Sequence, residues 1–299
     1  MSSLAATASL ATRAPGPGKP AHLPELAHLP ELDRLPELDR LKEEISGLGR
    51  VVVAFSGGVD SALLAWVANE TLGADRVIVA TAVSASLAPS ELDACRAFAG
   101  KWALNWVEVG TDELSRPEYI ANGTDRCYHC KSALMDRLEP LAKASEAVVA
   151  LGVNVDDLSE HRPGQIAARE RGAVFPLVLA AMTKAAVRAV AREVGLDVWD
   201  KPAAACLASR LPYGTPVSFG VLGQVAAAEA ALVALGFREL RVRHYGDTAR
   251  IEVTVDLLES VVRRRFAVID ALKQAGYRYV TLDLEGLRSG NLNEGLVPR

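Results

Sequence analysis

Two kinds of residue in this sequence are arranged to do chemistry: an anion-binding turn and a scattered set of thiols. Ser56-Gly57-Gly58-Val59-Asp60-Ser61 lies between a short apolar run and a stretch of helical spacing. Backbone N–H groups and the helix dipole attract anions at such a junction. Its two glycines let the backbone approach a phosphate closely. Ser56 and Ser61 add hydroxyl donors, Val59 completes the loop, and Asp60 is placed to hold a Mg2+ that bridges phosphate oxygens. No lysine follows the glycines, so this is not the phosphate loop of kinases and GTPases. A plain tight connection would need only the glycines, not the full hexapeptide.

The chain has four cysteines. Cys95 falls in an amphipathic stretch and reads as a small buried residue. Cys127-Tyr128-His129-Cys130 is a C-x-x-C pair just before a helical pattern, and Cys206 opens Cys206-Leu207-Ala208-Ser209-Arg210-Leu211-Pro212-Tyr213-Gly214-Thr215. Two thiolates in one turn can ligate one metal centre, act as a redox pair, or be coincidental. Cys127, Cys130 and Cys206 together can hold a 4Fe–4S cluster with one iron left open, and zinc with His129 added competes with that reading. Arg210, Arg241, Arg243 and Arg250 can supply bidentate cations to carboxylates or phosphate, although arginines alternating along a hairpin often only solvate one face. Asp283, Glu285, Arg288 and Ser289 are further candidates near the end of the chain, and Gly152 and Asn154 are candidates at a strand end bordering a nucleotide. His161 reads as a loop residue.

The elements that must position these groups follow from apolar periodicity. Buried runs at 51–55, 77–83, 106–109 and 148–153 alternate with amphipathic stretches at 60–72, 90–104, 131–145 and 183–194, which predicts an α/β domain with a parallel sheet covered on both faces. After Lys201-Pro202 the order becomes helix (221–235), hairpin (240–245 and 250–255, around Gly246-Asp247), helix (257–275) and strand (279–284), a smaller α+β domain. The boundary is set between residues 205 and 206. Residues 1–40 read as a disordered, proline-rich leader: three hexapeptide copies, HLPELA, HLPELD and RLPELD, place a proline every six residues, and no basic start leads into a compact apolar stretch. Globular patterning begins at Leu41. A net charge of −4 argues against a polyanion-coating protein, and no apolar run approaches the roughly 20 residues a membrane helix needs.

Two resemblances follow from these motifs. SGGVDS after a buried strand is similar to the pyrophosphatase loop (PP-loop) of the adenine-nucleotide α-hydrolases, which implies a doubly wound parallel sheet that binds ATP and splits it between the α and β phosphates. CLASRLPYG at 206–214 resembles the CLASRxPYG motif of the LarE family of ATP-dependent sulfur transferases, and RCYHCK at 126–131, RVRHYGDTARIEV at 241–253 and LDLEGLRSGNLNE at 282–294 match in order. The likeness covers about residues 41–299. It implies that ATP with Mg2+ adenylates a carboxylate of a pyridinium dicarboxylate mononucleotide, releasing pyrophosphate, and that sulfur displaces AMP to give a thiocarboxylate for the nickel-pincer cofactor. In the simplest members the cysteine matching Cys206 gives up its own sulfur and becomes dehydroalanine. In others three cysteines hold a 4Fe–4S cluster that delivers sulfide, and Cys127, Cys130 and Cys206 fit that pattern. The resemblance further implies a cytoplasmic homo-oligomer, with a sulfur donor for the cluster form.

Other readings share some of these features. A tRNA thiolase uses the same loop and paired cysteines, but the chain lacks the dense basic region that tRNA binding demands, so no nucleic-acid partner is expected. An amide-forming synthetase would not need three cysteines. A nucleotide-sensing module would hold ATP without turnover.

Overall fold

The computed structural model describes residues 35–158, 163–202 and 205–288. Most of the proline-rich leader, His161 and Ser289 lie outside them. The chain from Pro36 onward packs as one unit, built on two sheets with different grammar.

The first helix, α1 (Pro36–Ser46), starts five residues earlier than the hydrophobic pattern alone predicts. Pro36, read in the sequence as a breaker, stands at the opening position, where a missing N–H costs no hydrogen bond. Leu38, Leu41 and Ile45 then fall on one face and are buried. The third hexapeptide copy is therefore split, its last four residues belonging to the fold. Strand β1 (Val51–Ala54) follows, then α2 (Val59–Leu72), β2 (Val77–Val83), α3 (Pro89–Lys101), β3 (Trp106–Gly110), the short α4 (Pro117–Ile120), α5 (Arg126–Ala144) and β4 (Val148–Leu151).

These four strands form an all-parallel sheet in the order β3-β2-β1-β4, with Val51 opposite both Val77 and Val148. Such a sheet is buried on both faces, which explains why β1 reads as an unbroken valine run. Strand order reverses between β1 and β4, and in doubly wound sheets the crevice beyond that reversal holds the ligand. The loops after β1 and β4 open there. Helices α6 (Pro163–Glu170), α7 (Pro176–Leu179) and α8 (Lys184–Glu193) complete this half, and α2 packs against α1 and α8.

Beyond residue 205 come a short 3-10 turn (Leu207–Arg210), α9 (Phe219–Ala234), β5 (Leu240–Tyr245), β6 (Thr248–Val253), α10 (Leu258–Arg263), α11 (Arg265–Gln274) and β7 (Tyr279–Leu282). The hairpin β5–β6 is antiparallel and β7 joins β6 in parallel. The expected helix over 257–275 is broken at Arg264, whose backbone leaves the helical region. Leu207, Ala208, Leu211 and Val217 of the connecting segment pack with Tyr119, Leu222 and Val225 in one apolar cluster, against which Cys130 is seated. That cluster ties the Cys206 segment to α4 and α5. Among the described residues no helix is long and apolar enough to cross a membrane.

Because α1 supplies core rather than leader, Leu41→Ala should destabilise the protein by about 3 kcal/mol through the cavity it leaves. A thermal melt checks this, and an unchanged midpoint would return residues 36–46 to the leader.

Candidate active site

The phosphate loop is shaped by its neighbours. Gly57 has φ +72°, and a Cβ there would lie 2.7 Å from the sulfur of Cys95 on α3. Cys95 is fully buried, as its sequence context implied, and burial raises its thiol pKa; its place beneath the loop was not legible in sequence. Ser61 braces the turn: its Oγ accepts from Ser56 N (3.2 Å), donates to Gly58 O (3.1 Å) and meets Ser56 Oγ at 3.1 Å. Val59 buries its side chain in the core, so its contribution to the loop is its backbone. No side chain caps the start of α2 at Gly58, which leaves its first N–H groups for an anion.

Gly152, just past β4, crosses the first turn of α2 so closely that a Cβ would sit 2.7 Å from Ser61 N and 2.9 Å from Asp60 C. Asn154, buried, donates from Nδ2 to Asp60 Oδ1 at 3.0 Å while its Oδ1 accepts from Asp156 N (3.0 Å) and Asp157 N (3.2 Å). These two residues, expected to touch adenine or ribose, are engaged in packing the loop and orienting Asp60. The other Asp60 oxygen is paired with the ammonium of Lys184 at the start of α8. Sequence reasoning missed Lys184. The signal was present: Thr183 caps α8 through Ala186 N, and a lysine in the first turn opposes the helix dipole unless a carboxylate or phosphate faces it. Also missed was Lys201, whose ammonium donates to Gly57 O (3.1 Å) and Glu91 Oε2 (2.7 Å).

Two of the other thiols stand on α5 and the third just before the 3-10 turn. Cys127 and Cys130 share a face in the first turns of α5; Cys127 and Cys206 are exposed. Burial pushes the Cys130 thiol up to about 12, with Cys206, Glu113 and Cys127 adding to the shift and Lys131 opposing it. The buried guanidinium of Arg126 donates to Asn122 Oδ1 (2.5 Å) and Ala208 O (2.8 Å). Burial works against its charge, yet the sulfurs of Cys206 and Cys127 keep its pKa above the ordinary value. Cys206 and Cys127 thus both add to the upward shift of the Cys130 thiol. Among the described residues, however, no group of three His, Cys, Asp or Glu side chains is arranged to hold a metal ion, and His129 is paired with Asp125 at 3.0 Å.

Cys206 precedes the 3-10 turn, anchored by Leu207 N donating to Ser86 O at 2.9 Å. Asn122, with φ +54°, holds the rest of the motif by donating to Pro212 O (2.8 Å) and Thr215 O (2.9 Å); asparagine tolerates that left-handed backbone, and Asn122-Gly123 is a turn signal that sequence reading passed over.

The arginines divide by role. Arg210 is buried, makes a bidentate pair with Glu229 (2.8 and 3.0 Å) and donates to Ala205 O (2.6 Å), Cys206 O (3.2 Å) and Ser209 Oγ (3.1 Å). Its donors are engaged within the protein, so it shapes the backbone at Cys206. Arg243 is likewise buried against Glu252 (2.9 Å) and Ser209 O (2.8 Å). Arg250 pairs with Glu252 and Asp283, and Arg288 with Glu285 and Asp283. Arg241 differs: it has no carboxylate partner among the described residues, and burial followed by the charges of Arg243 and Arg210 lowers its pKa. Of this set, Arg241 has the least compensated charge, the electrostatic setting that favours an incoming anion.

Two outcomes are expected. Gly152→Ala should lower the melting temperature, since overpacking against backbone costs about 1–3 kcal/mol; Gly100→Ala, where a Cβ meets nothing within 4 Å, should not. Calorimetry on both variants decides it. In peptide mapping after iodoacetamide at pH 8, Cys127 and Cys206 should be labelled first and Cys130 spared, because a thiol titrating near 12 is almost wholly protonated there.

No family model matches the chain. It is 44% identical over 253 residues to an uncharacterized protein of Synechocystis sp., covering 84% of this chain and 94% of the other. It is 38% identical over 254 residues to the pyridinium-3,5-bisthiocarboxylic acid mononucleotide synthase of Lactiplantibacillus plantarum, covering 85% and 92%. An uncharacterized protein of Methanocaldococcus jannaschii matches at 28% over 241 residues, covering 80% and 91%. With the second of these relatives spanned almost end to end, the chain belongs to the LarE family, that of the pyridinium-3,5-bisthiocarboxylic acid mononucleotide synthase.

Proposed function

We propose that this protein is an ATP-dependent sulfur transferase that adenylates a carboxylate of a pyridinium dicarboxylate mononucleotide and converts it to a thiocarboxylate for nickel-pincer cofactor synthesis. The observation that carries the reading is the 38% identity to the L. plantarum synthase over 254 residues, 85% of this chain. The arrangement of side chains supports it. Phosphates at the uncapped start of α2 would meet backbone N–H groups and the ammonium groups of Lys184 and Lys201. Asp60 fits Mg2+, a hard cation that takes one or two carboxylates together with phosphate oxygens, and the ion would supply charge neutralisation there. Arg241 is the cation suited to a carboxylate or phosphate of the substrate.

In the reaction, a substrate carboxylate oxygen attacks the α phosphorus and pyrophosphate leaves. The Cys206 thiolate then attacks the acyl carbon, and AMP departs with the bonding electron pair. Loss of the Cys206 Cα proton breaks its Cβ–S bond, leaving dehydroalanine on the protein and the thiocarboxylate on the product. The backbone grip of Arg210 on Ala205 and Cys206 orients that thiol without covering it.

Three free thiols, two of them within one turn of α5, favour a second sulfur source. Three soft thiols are the donor set of a 4Fe–4S cluster, which would supply sulfide when bound. As they stand they are not gathered for a metal, so no step is derived through it. A homo-oligomer in the cytoplasm, with a sulfur donor serving the cluster form, completes the proposal.

Cys206→Ala should abolish thiocarboxylate formation while ATP–pyrophosphate exchange with the mononucleotide persists. Loss of H2S from the intact wild-type mass after one turnover would select the sacrificial route, and unchanged mass with stoichiometric iron and sulfide the cluster route. Full product formation by Cys206→Ala would refute both.

A further inference from the structure

We propose that Cys130 is a resolving thiol for Cys206: once Cys206 has joined a small molecule through a disulfide bond, Cys130 displaces that molecule and closes a Cys130–Cys206 bond. The inference goes beyond the proposed function and needs only two of the three thiols, whereas a metal needs more donors than are gathered among the described residues. Exposure divides the labour. Cys206 is free and exposed, open to a reagent from solution, and Cys130 is free but half-buried. An accessible thiol with a second thiol behind it is the usual setting for reversible oxidation.

Direct contacts bring the two segments together. Cys130 packs against the apolar cluster that holds Leu207 and Ala208, the residues that follow Cys206 in the chain. One turn earlier on the same face of α5, Arg126 donates to Ala208 O at 2.8 Å, while Leu207 N is held by Ser86 O at 2.9 Å. Tyr119 stands in the same cluster, and both Cys206 and Cys130 act on its phenol. Of the charges bearing on the Cys130 thiol, Cys206 has the largest effect, and Cys127 acts more weakly although it shares the helix. That order selects Cys206, rather than the C-x-x-C neighbour, as the partner of Cys130.

The exchange balances with a disulfide, RSSR, as the co-reactant. The Cys206 thiolate attacks one of its sulfurs, a new S–S bond forms, and one RS⁻ leaves with the electron pair. The Cys130 thiol then loses its proton to water, its sulfur attacks Cys206 Sγ, and the second RS⁻ leaves. Cys130 and Cys206 are oxidised to a disulfide, and RSSR is reduced to its thiols. Because the second step is intramolecular, it draws on a high effective concentration of thiol. Within the proposed function, the bond would withhold Cys206 from sulfur transfer until a dithiol reduces it.

The test adds oxidised glutathione to the reduced, chelator-treated full-length protein without substrate, and reads the products by peptide mass mapping under non-reducing conditions. The wild type should yield a peptide pair linked through Cys130 and Cys206, which dithiothreitol should separate. Cys130→Ser should stop at the first step and carry glutathione on Cys206 at about ten times the wild-type level or more. Cys127→Ser should close the bond as the wild type does. Should Cys130→Ser fail to fold, the wild-type linkage decides alone. A link from Cys127 to either other thiol in place of the expected one, or a wild type that keeps glutathione on Cys206 without closing, would overturn the inference. So would equal glutathione on Cys206 in the wild type and Cys130→Ser. With no substrate present, each of these results leaves the proposed function standing, and product formed by Cys206→Ala would refute that function without touching the disulfide result.

Discussion

Two buried guanidinium groups close on the backbone around one exposed thiol, and the rest of the site depends on that grip. Arg210 takes the carbonyls of Ala205 and Cys206, and Arg126 takes that of Ala208. Hydrogen bonds from a charged donor to carbonyls are among the stronger ones available to a folded chain. Because they act on main chain, they fix where Cys206 is while leaving its sulfur accessible. The arrangement needs Glu229 and Asn122: the first balances the charge of Arg210, and the second orients Arg126 and gathers the turn at Pro212–Thr215. Losing one partner would strand a buried charge, a larger penalty than the bond itself contributes.

The phosphate loop follows a different logic. Its geometry is imposed by close approach, with Cys95 beneath Gly57 and Gly152 against the first turn of α2. Its charge is held in reserve: Asp60 is neutralised by Lys184, and Lys201 by Glu91. On the proposed function, such pairs would keep cations beside the loop without leaving them unpaired before a nucleotide arrives. The arginine layer around Glu252 and Asp283 is similarly compensated, except at Arg241, where excess positive charge remains. On the proposed function, that surplus is where an anionic substrate would be drawn.

Much of this was legible in the sequence because it is periodic or local. The valine run of β1, the SGGVDS turn and the hairpin around Gly246-Asp247 each declare themselves within ten residues. What escaped was tertiary. Pro36 reads as a breaker until its place at the start of α1 is known. Arg210 and Arg243 read as substrate cations because sequence shows their charge but not Glu229 and Glu252, which lie 19 and 9 residues away in the chain. Lys184 and Lys201 carry no motif, and only the fold brings them to Asp60 and Gly57 across 124 and 144 residues.

The most direct measurement is a crystal structure of the protein with a hydrolysis-resistant analogue of the acyl-adenylate. The account requires the phosphate at the start of α2 and the Cys206 sulfur about 3–3.5 Å from the acyl carbon, the separation of a near-attack arrangement. A bound adenylate with that sulfur turned away or screened from it by intervening protein would contradict the assignment of Cys206 to sulfur transfer.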